Sequence, residues 1–340
     1  MRYTEFRTTN TILLPDDQSS IVRAAQVIRQ GGLVAFPTET VYGLGAAATD
    51  AKAVTRIYVA KGRPADNPLI VHIAEVKQLE EVSTAVPDSA HRLAQQFWPG
   101  PLSLILPRSN RIPALVSAGL GTVAVRMPDH KVALALILAS GVPIAAPSAN
   151  RSGRPSPTTY KHVLADLAGR IDIVIKCCPC PIGVESTVLD LTSRQPTILR
   201  PGGITRAQLE SALGCKVALA GRHSFQGVPL SPGMKYRHYS PRAPLILVTG
   251  SCARRRILVQ SLFDYYSSRG LKVGLLNSVL QGCLHDSDIA QRLAASLYKT
   301  LREMDCWGAD IILAEKIDEK GLGLAVMNRL GRAAVRVLKA

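Results

Sequence analysis

No apolar run in this 340-residue sequence is long and unbroken enough to cross a bilayer. The most apolar stretch, Val132 to Ala146, is interrupted by Ser140, Gly141 and Pro143, so no membrane partner is expected. The opening residues, MRYTEFRTTN, lack the apolar centre of a secretory signal. There is no G-x-x-x-x-G-K-[ST], which removes the P-loop as a way of holding a nucleotide. Internal repeats and low-complexity tracts are also missing, which argues against solenoids and wholesale disorder. Acidic residues are few beside basic ones: Asp+Glu 25 against Lys+Arg 41 leaves a formal charge of +16. That excess suits nucleotides, RNA or an anionic surface, and equally a basic solvated exterior. Seven cysteines, an odd number in a long chain, fit reduced thiols better than a disulfide framework. The expected class is a soluble, cytoplasmic protein.

What is present is a sequence that is 47% hydrophobic, enough for a large core spread over two domains. A helical pattern over Gln18 to Gln30 stops at Gly31-Gly32, and Leu33 to Phe36 follows as a strand. Thr49-Asp50 can cap a helix to about Ala60, and Asp129 a helix over Lys131 to Ala139 that Gly141 ends. Buried strands are predicted at Leu69 to Ile73, Leu102 to Leu106, Val123 to Arg126 and Pro143 to Ala146. Further strands near Ile171 to Lys176, Ser186 to Leu191 and Thr197 to Leu199 follow with little helix between them. That mixture predicts an α/β domain over 1–213 with a twisted, mixed sheet. The pattern breaks down over 214–243, a candidate linker rich in Gly, Pro, Tyr, His and basic residues. Beyond it, 244–340 alternates as a βαβαβ unit, predicting a small Rossmann-like three-layer α/β/α domain.

Some signals have bland explanations. Gly43-Leu44-Gly45-Ala46-Ala47-Ala48 matches a dinucleotide fingerprint by letter, but Pro37-Thr38-Glu39-Thr40 intervenes after the strand. The small residues are expected to let a helix pack closely on the sheet, and NAD is not expected. Cys177-Cys178-Pro179-Cys180 has C-x-x-C spacing with no second Cys/His pair nearby, so no structural zinc is expected. Arg254-Arg255-Arg256 reads as a solvated helix face more readily than as an RNA contact.

Four segments pair phosphate donors with Pro or Gly: Lys61-Gly62-Arg63-Pro64, Val125-Arg126-Met127-Pro128, Pro147 to Pro155, and Arg200-Pro201-Gly202-Gly203. Stiff loops bearing donors suit a polyanion, because little ordering entropy remains to be lost. In an extended loop Lys61 and Arg63, at i and i+2, would share a face and address one triphosphate, with the Asn67 amide beside them. Ser148 and Asn150 follow a buried strand at its carboxyl end, where α/β proteins place ligands. Arg126 ends a strand and either grips a carboxylate ligand or makes a structural ion pair. Pro37 to Gly43, with two hydroxyls and a carboxylate, could hold a small polar substrate or be a plain turn. Together they point to a nucleotide-handling enzyme with a concave basic site.

The segments PTETVYGLG, KGRPADNPLIVHI, FWPGPLS, VAVRMPDH, PSANRSGRPSPT, GVESTV and ILRPGGIT, in this order over Gln18 to Leu213, resemble the L-threonylcarbamoyladenylate synthase family with its YrdC-like domain. SPGMKYRHYSP and KGLGLAVMNRLGRAA resemble the linker and C-terminal domain of its long form. The resemblance implies that L-threonine, bicarbonate and ATP give threonylcarbamoyl-AMP and pyrophosphate, and the chemistry of a triphosphate adds Mg²⁺ as the expected cofactor. It implies a cytoplasmic role in threonylcarbamoyladenosine modification of tRNAs reading ANN codons, with threonylcarbamoyl-transfer proteins downstream and weak tRNA contact. Lys61 and Arg63 match the family's KxR pair, which carries the catalytic role, and Ser148 and Asn150 its SxN pair. Asn67, Thr122, Ser156, Arg200 and Tyr236 match other ATP-binding positions. Thr40, His72, Arg126, Ala146 and Ser186 match threonine-binding ones.

The residues agree with a carbamate that attacks the α-phosphorus without a strong general base, in a site where positioning and charge neutralisation dominate. Arg126 would then hold the threonine carboxylate. Tyr236, Arg237, His238 and Tyr239 could fold over the site as a lid, or simply dock two domains. Two rival functions remain. A non-catalytic RNA-binding module would use the charge but leave Thr40, His72 and Ser186 unexplained. A carbamoyltransferase of the hydrogenase-maturation type would need zinc-finger cysteine pairs and an acylphosphatase-like module, neither of which the sequence contains.

Overall fold

The computed structural model describes residues 11–221, 229, 231, 238–276 and 286–340. Contacts divide the chain into two units. One comprises Met1–Ser152, Pro157–Pro181 and Glu185–Lys235, and the other Gly153–Ser156, Ile182–Val184 and Tyr236–Ala340. No helix among the described residues is long and apolar enough to cross a membrane.

The first unit opens with β1 (Ile12–Leu14), α1 (Gln18–Arg29), β2 (Val34–Phe36), β3 (Gly43–Ala47), α2 (Ala51–Lys61) and β4 (Ile70–His72). Then come α3 (Leu79–Val82), α4 (Asp88–Phe97), β5 (Leu102–Pro107), β6 (Thr122–Arg126), α5 (Lys131–Ser140) and β7 (Ile144–Ala145). It closes with α6 (Tyr160–Leu167), β8 (Ile173–Ile175), β9 (Thr187–Asp190), β10 (Thr197–Arg200), α7 (Arg206–Leu213) and β11 (Ala218–Leu219). The strands form one mixed sheet in the order β1-β8-β2-β3-β7-β4-β6-β5-β9-β10-β11. Alternation along β2 shows how both faces are covered. Val34 and Phe36 pack with Ile28 of α1 and Leu136 and Ile137 of α5, while Ala35 joins the cluster containing Val54 and Ile57 of α2. Burying both faces explains why these strands read as continuous apolar runs.

Local chemistry sets the helix ends. Asp50 Oδ1 accepts from Lys52 N at 2.8 Å and from Ala53 N at 3.2 Å, starting α2. Gly62 ends it in the left-handed conformation at φ +60°, which costs a residue with a Cβ considerably more. For α5 the expectation of an Asp129 cap fails: His130 is the extended residue, and its Nδ1 accepts from Val132 N at 3.2 Å. Gly43 to Ala47 form β3, antiparallel to both β2 and β7, and α2 and α1 pack against it as expected of small residues on the sheet. β11 lies within the segment read as linker and pairs with β10.

The second unit contains β12 (Leu245–Thr249), α8 (Cys252–Ser267), β13 (Val273–Leu276), α9 (Asp286–Trp307), β14 (Ile311–Glu315), α10 (Leu322–Ala333) and β15 (Arg336–Lys339). Its four strands are all parallel, ordered β13-β14-β12-β15. Ile246 and Val248 pack with Val259 of α8, and Leu245 and Leu247 are buried as well. A small α/β domain with a Rossmann-like alternation results, extended by α10 and β15. Arg254 and Arg256 are exposed, but Arg255 turns inward, donating to Gly250 O at 2.7 Å and lying 3.8 Å from Glu315. His238 and Tyr239, read as lid residues, are buried in this unit, with Tyr239 stacked on Tyr298 at 5.6 Å. Tyr236 and Arg237 lie outside the described residues.

Candidate active site

Parallel pairing of β4 with β6 sets His72 opposite Arg126, each the last residue of its strand. On the other side of β4, β7 runs antiparallel and pairs Ile144 with His72. Just past β7, Ala146 N donates to Ile70 O at 2.9 Å, so a side chain of minimal size ends that strand. The loop after β2 brings Thr38, Glu39 and Thr40 to the same place, all buried. Arg126 Nη1 donates to Thr40 Oγ1 at 3.0 Å, and Thr40 Oγ1 lies 2.8 Å from Thr38 Oγ1. Since Thr38 Oγ1 donates to Val41 O at 2.6 Å, the hydroxyls must run Arg126 to Thr40 to Thr38 to backbone.

Within the chain Arg126 makes a buried ion pair with Glu39. Its Nη2 lies 2.6 Å from Glu39 Oε2, with both side chains more than nine-tenths buried, and its Nε donates to Gly100 O at 3.2 Å. His72 sits edge-on to Phe36, with ring centroids 6.1 Å apart. Burial, reinforced by the Arg126 charge, lowers its pKa to about 3. The imidazole is therefore neutral at physiological pH and can only exchange hydrogen bonds.

Ser186 and Arg200 were expected on different substrates, and the structure puts them in contact. Arg200 Nη2 donates to Ser186 Oγ and to Ser186 O, both at 3.1 Å. Ser186 Oγ also lies 2.8 Å from Ser103 Oγ. Gly202 serves this pairing: a Cβ there would stand 2.2 Å from Ser186 C and Thr187 N, so only glycine lets the backbones close. Pro201-Gly202-Gly203 is thus a close-packing device next to Arg200.

The nucleotide-type residues converge differently from the extended-loop expectation. Lys61 is the last residue of α2, and its buried Nζ donates to Ser148 O and Asn150 O, each at 2.5 Å. Arg63 lies beyond the left-handed Gly62 and folds back, Nε to Asn67 O at 3.1 Å and Nη2 to Pro68 O at 2.8 Å. The pair does not share one extended face. Instead Lys61 ties the α2 end to the Ser148–Asn150 turn, while Asn67 lends Arg63 its backbone carbonyl. Ser152 N returns a bond to Lys61 O at 2.9 Å. Thr122 starts β6, at the far end of that strand from Arg126. Ser156 is buried in a loop grouped by its contacts with the second unit. Tyr236 lies outside the described residues.

Glu39 and Ser103 carry geometry that the sequence reading did not assign. Ser103 had a signal: a fully buried hydroxyl interrupting the apolar run of β5. Near the site Cys180 is buried and its thiol is pushed up to about 12 by desolvation, and Cys177 to about 11 for the same first reason. Both are neutral thiols at physiological pH. Among the described residues no group of three or more His, Cys, Asp or Glu is placed to hold a metal ion.

A buried cluster of cations, hydroxyls and one ion pair at strand ends of a mixed sheet has the chemistry that a nucleotide-dependent transferase needs. The family described as Telomere recombination, that of the Sua5, YciO and YrdC proteins, matches residues 26–202. The family described as Threonylcarbamoyl-AMP synthase, C-terminal domain, matches residues 204–335. A threonylcarbamoyl-AMP synthase of Pyrococcus abyssi is 50% identical, the alignment covering 93% of this chain and 94% of the relative. One of Bacillus subtilis is 48% identical, covering 94% of each. The crystal structure of Pyrococcus abyssi Sua5 complexed with L-threonine superposes with a TM-score of 0.91 at 48% identity, covering 97% of this chain and 100% of that one. The chain belongs to the threonylcarbamoyl-AMP synthase family.

Proposed function

We propose that this protein condenses L-threonine, bicarbonate and ATP into threonylcarbamoyl-AMP and pyrophosphate. The adenylate then serves threonylcarbamoyladenosine formation in tRNAs reading ANN codons, through separate transfer proteins. The observation that carries the reading is the joining of the α2 end to the Ser148–Asn150 turn through Lys61, on the same sheet as the Thr40–Arg126–Glu39 cluster. One set of donors suits a triphosphate and the other an amino acid.

In this reading the threonine carboxylate meets Arg126 and Thr40, and Ala146 and Ser186 shape the pocket for its methyl and hydroxyl. Neutral His72 offers a hydrogen bond without adding charge. The carbamate oxygen attacks the α-phosphorus, and pyrophosphate leaves. Lys61, Arg63 and Arg200 offset charge on the phosphates, while Ser148, Asn150, Asn67, Thr122 and Ser156 orient the nucleotide, completed by Tyr236. Preorganised donors in a site shielded from water act mainly by lowering the energy of developing charge. Magnesium enters as the MgATP substrate, since the donors here are cations, hydroxyls and amides rather than a carboxylate cage. A cytoplasmic location fits the six free cysteines among the described residues.

The test is pyrophosphate release from MgATP with threonine or bicarbonate omitted in turn. Release that needs both supports the reading. Release indifferent to threonine, or tight RNA binding with no release at all, overturns it; the latter would favour a role for the +16 charge as an RNA-binding surface.

A further inference from the structure

Glu39 is a carboxylate buried beside Thr40 and Arg126, and nucleotidyl transfer gives it no task. Its Oε2 is held 2.6 Å from Arg126 Nη2. Its Oε1 is buried and accepts no hydrogen bond among the described residues. A carboxylate oxygen shielded from water with unused acceptor capacity is costly unless a donor takes it up. An α-amino acid supplies such a donor, because it carries an anionic carboxylate and a cationic amine on one carbon. An Arg–Glu pair is the complementary zwitterion. Among the described residues Glu39 keeps Oε1 without a hydrogen bond. A guanidinium has five N–H donors, where Arg126 spends three on Gly100, Thr40 and Glu39.

The surrounding charges sharpen the assignment. Facing Glu39 are Arg126 at the end of β6, His130 at the start of α5 and Cys180 in the loop after β8, with His72 beyond Arg126. Burial holds Cys180 in its thiol form and His72 in its neutral form, and lowers the His130 pKa. Cys180 as a thiol and His72 at a pKa of about 3 are both poor proton acceptors beside the Glu39 carboxylate. A proton acceptor is required when the carbamate forms. Bicarbonate takes the first proton of the ammonium as it breaks into CO₂ and water. The amine nitrogen then bonds to the carbon of CO₂, one C–O π bond opens onto oxygen, and the nitrogen sheds its second proton to Glu39: R–NH₃⁺ + HCO₃⁻ + Glu–COO⁻ gives R–NH–COO⁻ + H₂O + Glu–COOH.

We infer that Glu39 binds the amine of threonine and takes its proton as the carbamate forms, an inference that rests on the proposed threonine- and bicarbonate-dependent activity. Arg126 then has two carboxylates to serve, the substrate's and that of Glu39. This fits a guanidinium with several donors better than it would an ammonium.

The experiment compares wild type with Glu39→Gln, following pyrophosphate release against pH and bicarbonate, with MgATP binding measured by calorimetry. At pH 7 the variant should lose about 100-fold or more in threonine-dependent turnover, the scale of a general base. The deficit should shrink toward parity near pH ~9.5 at high bicarbonate, where threonine's amine is already deprotonated and carbamate forms in solution. MgATP affinity should not change. Turnover within about threefold of wild type at pH 7 overturns the inference, as does a deficit that stays constant with pH, the mark of a purely structural pair. If Glu39→Gln does not fold, Glu39→Asp, which keeps the charge, should show a smaller deficit with the same recovery at high pH; a pH-independent deficit overturns the inference. Wild type that shows no threonine-dependent release removes the proposed function itself, a different result.

Discussion

Lys61→Met keeps the length of the side chain and deletes the ammonium that joins α2 to the turn after β7. Ser148 O and Asn150 O, each 2.5 Å from Nζ, lose a charged donor. Ser148 O still accepts from Asn150 N at 3.0 Å, so the loss falls mainly on one carbonyl. A stripped buried acceptor costs ~1–3 kcal/mol, partly offset because an ammonium no longer has to be desolvated, so the net is set at ~2 kcal/mol. In a unit of this size that corresponds to a fall of ~4–8 °C in Tm. Activity should fall much further, because a cation aimed at developing phosphate charge contributes on the order of 10²–10³ in kcat. Scanning calorimetry reads the first effect and pyrophosphate release the second. A variant that melts with wild type and still turns over at its rate would refute the claim that Lys61 both braces the turn and serves the nucleotide.

Stability should fall on acidification through His72. Its folded pKa of about 3 lies below the ordinary 6.5, so the unfolded chain takes up a proton that the folded chain refuses. The contribution is complete above pH ~6.5 and is lost toward pH ~3 at about 1.4 kcal/mol per unit; denaturant titrations should show that slope, and His72→Gln should flatten it. Ser103→Ala leaves Ser186 Oγ its bond from Arg200, so it should cost only ~1 kcal/mol while raising the KM for threonine more than that for ATP. Alkylation at pH 8 followed by mass spectrometry should mark exposed Cys178 and spare Cys180, whose thiol is buried and pushed up to about 12; equal labelling would contradict the packing.

Much of the core was legible because strands buried on both faces must be largely apolar, as in Ile70–His72, Leu102–Pro107 and Leu245–Thr249. Elements without their usual local markers were not. β3, Gly43-Leu44-Gly45-Ala46-Ala47, has none of the β-branched residues that mark strands. α4 begins after Pro87 with no side-chain cap to announce it. β11 is two residues long. At the site, the residue types and the loops that carry them could be read directly, since phosphate and carboxylate recognition demands Arg, Lys, hydroxyls and amides. Their pairings could not.

The sequence by itself determined which chemistry was available: cations, hydroxyls and amides on Pro- and Gly-stiffened loops, with +16 of formal charge behind them. Tertiary structure alone decided who meets whom. Glu39 and Arg126 are 87 residues apart in sequence and 2.6 Å apart in space, and Ser103 reaches Ser186 across neighbouring strands. Those distances follow from strand order and register, which depend on how the helices cover both faces of the sheet. No local pattern encodes them, because a side chain's partner is set by the neighbouring strand rather than by its own neighbours in the chain.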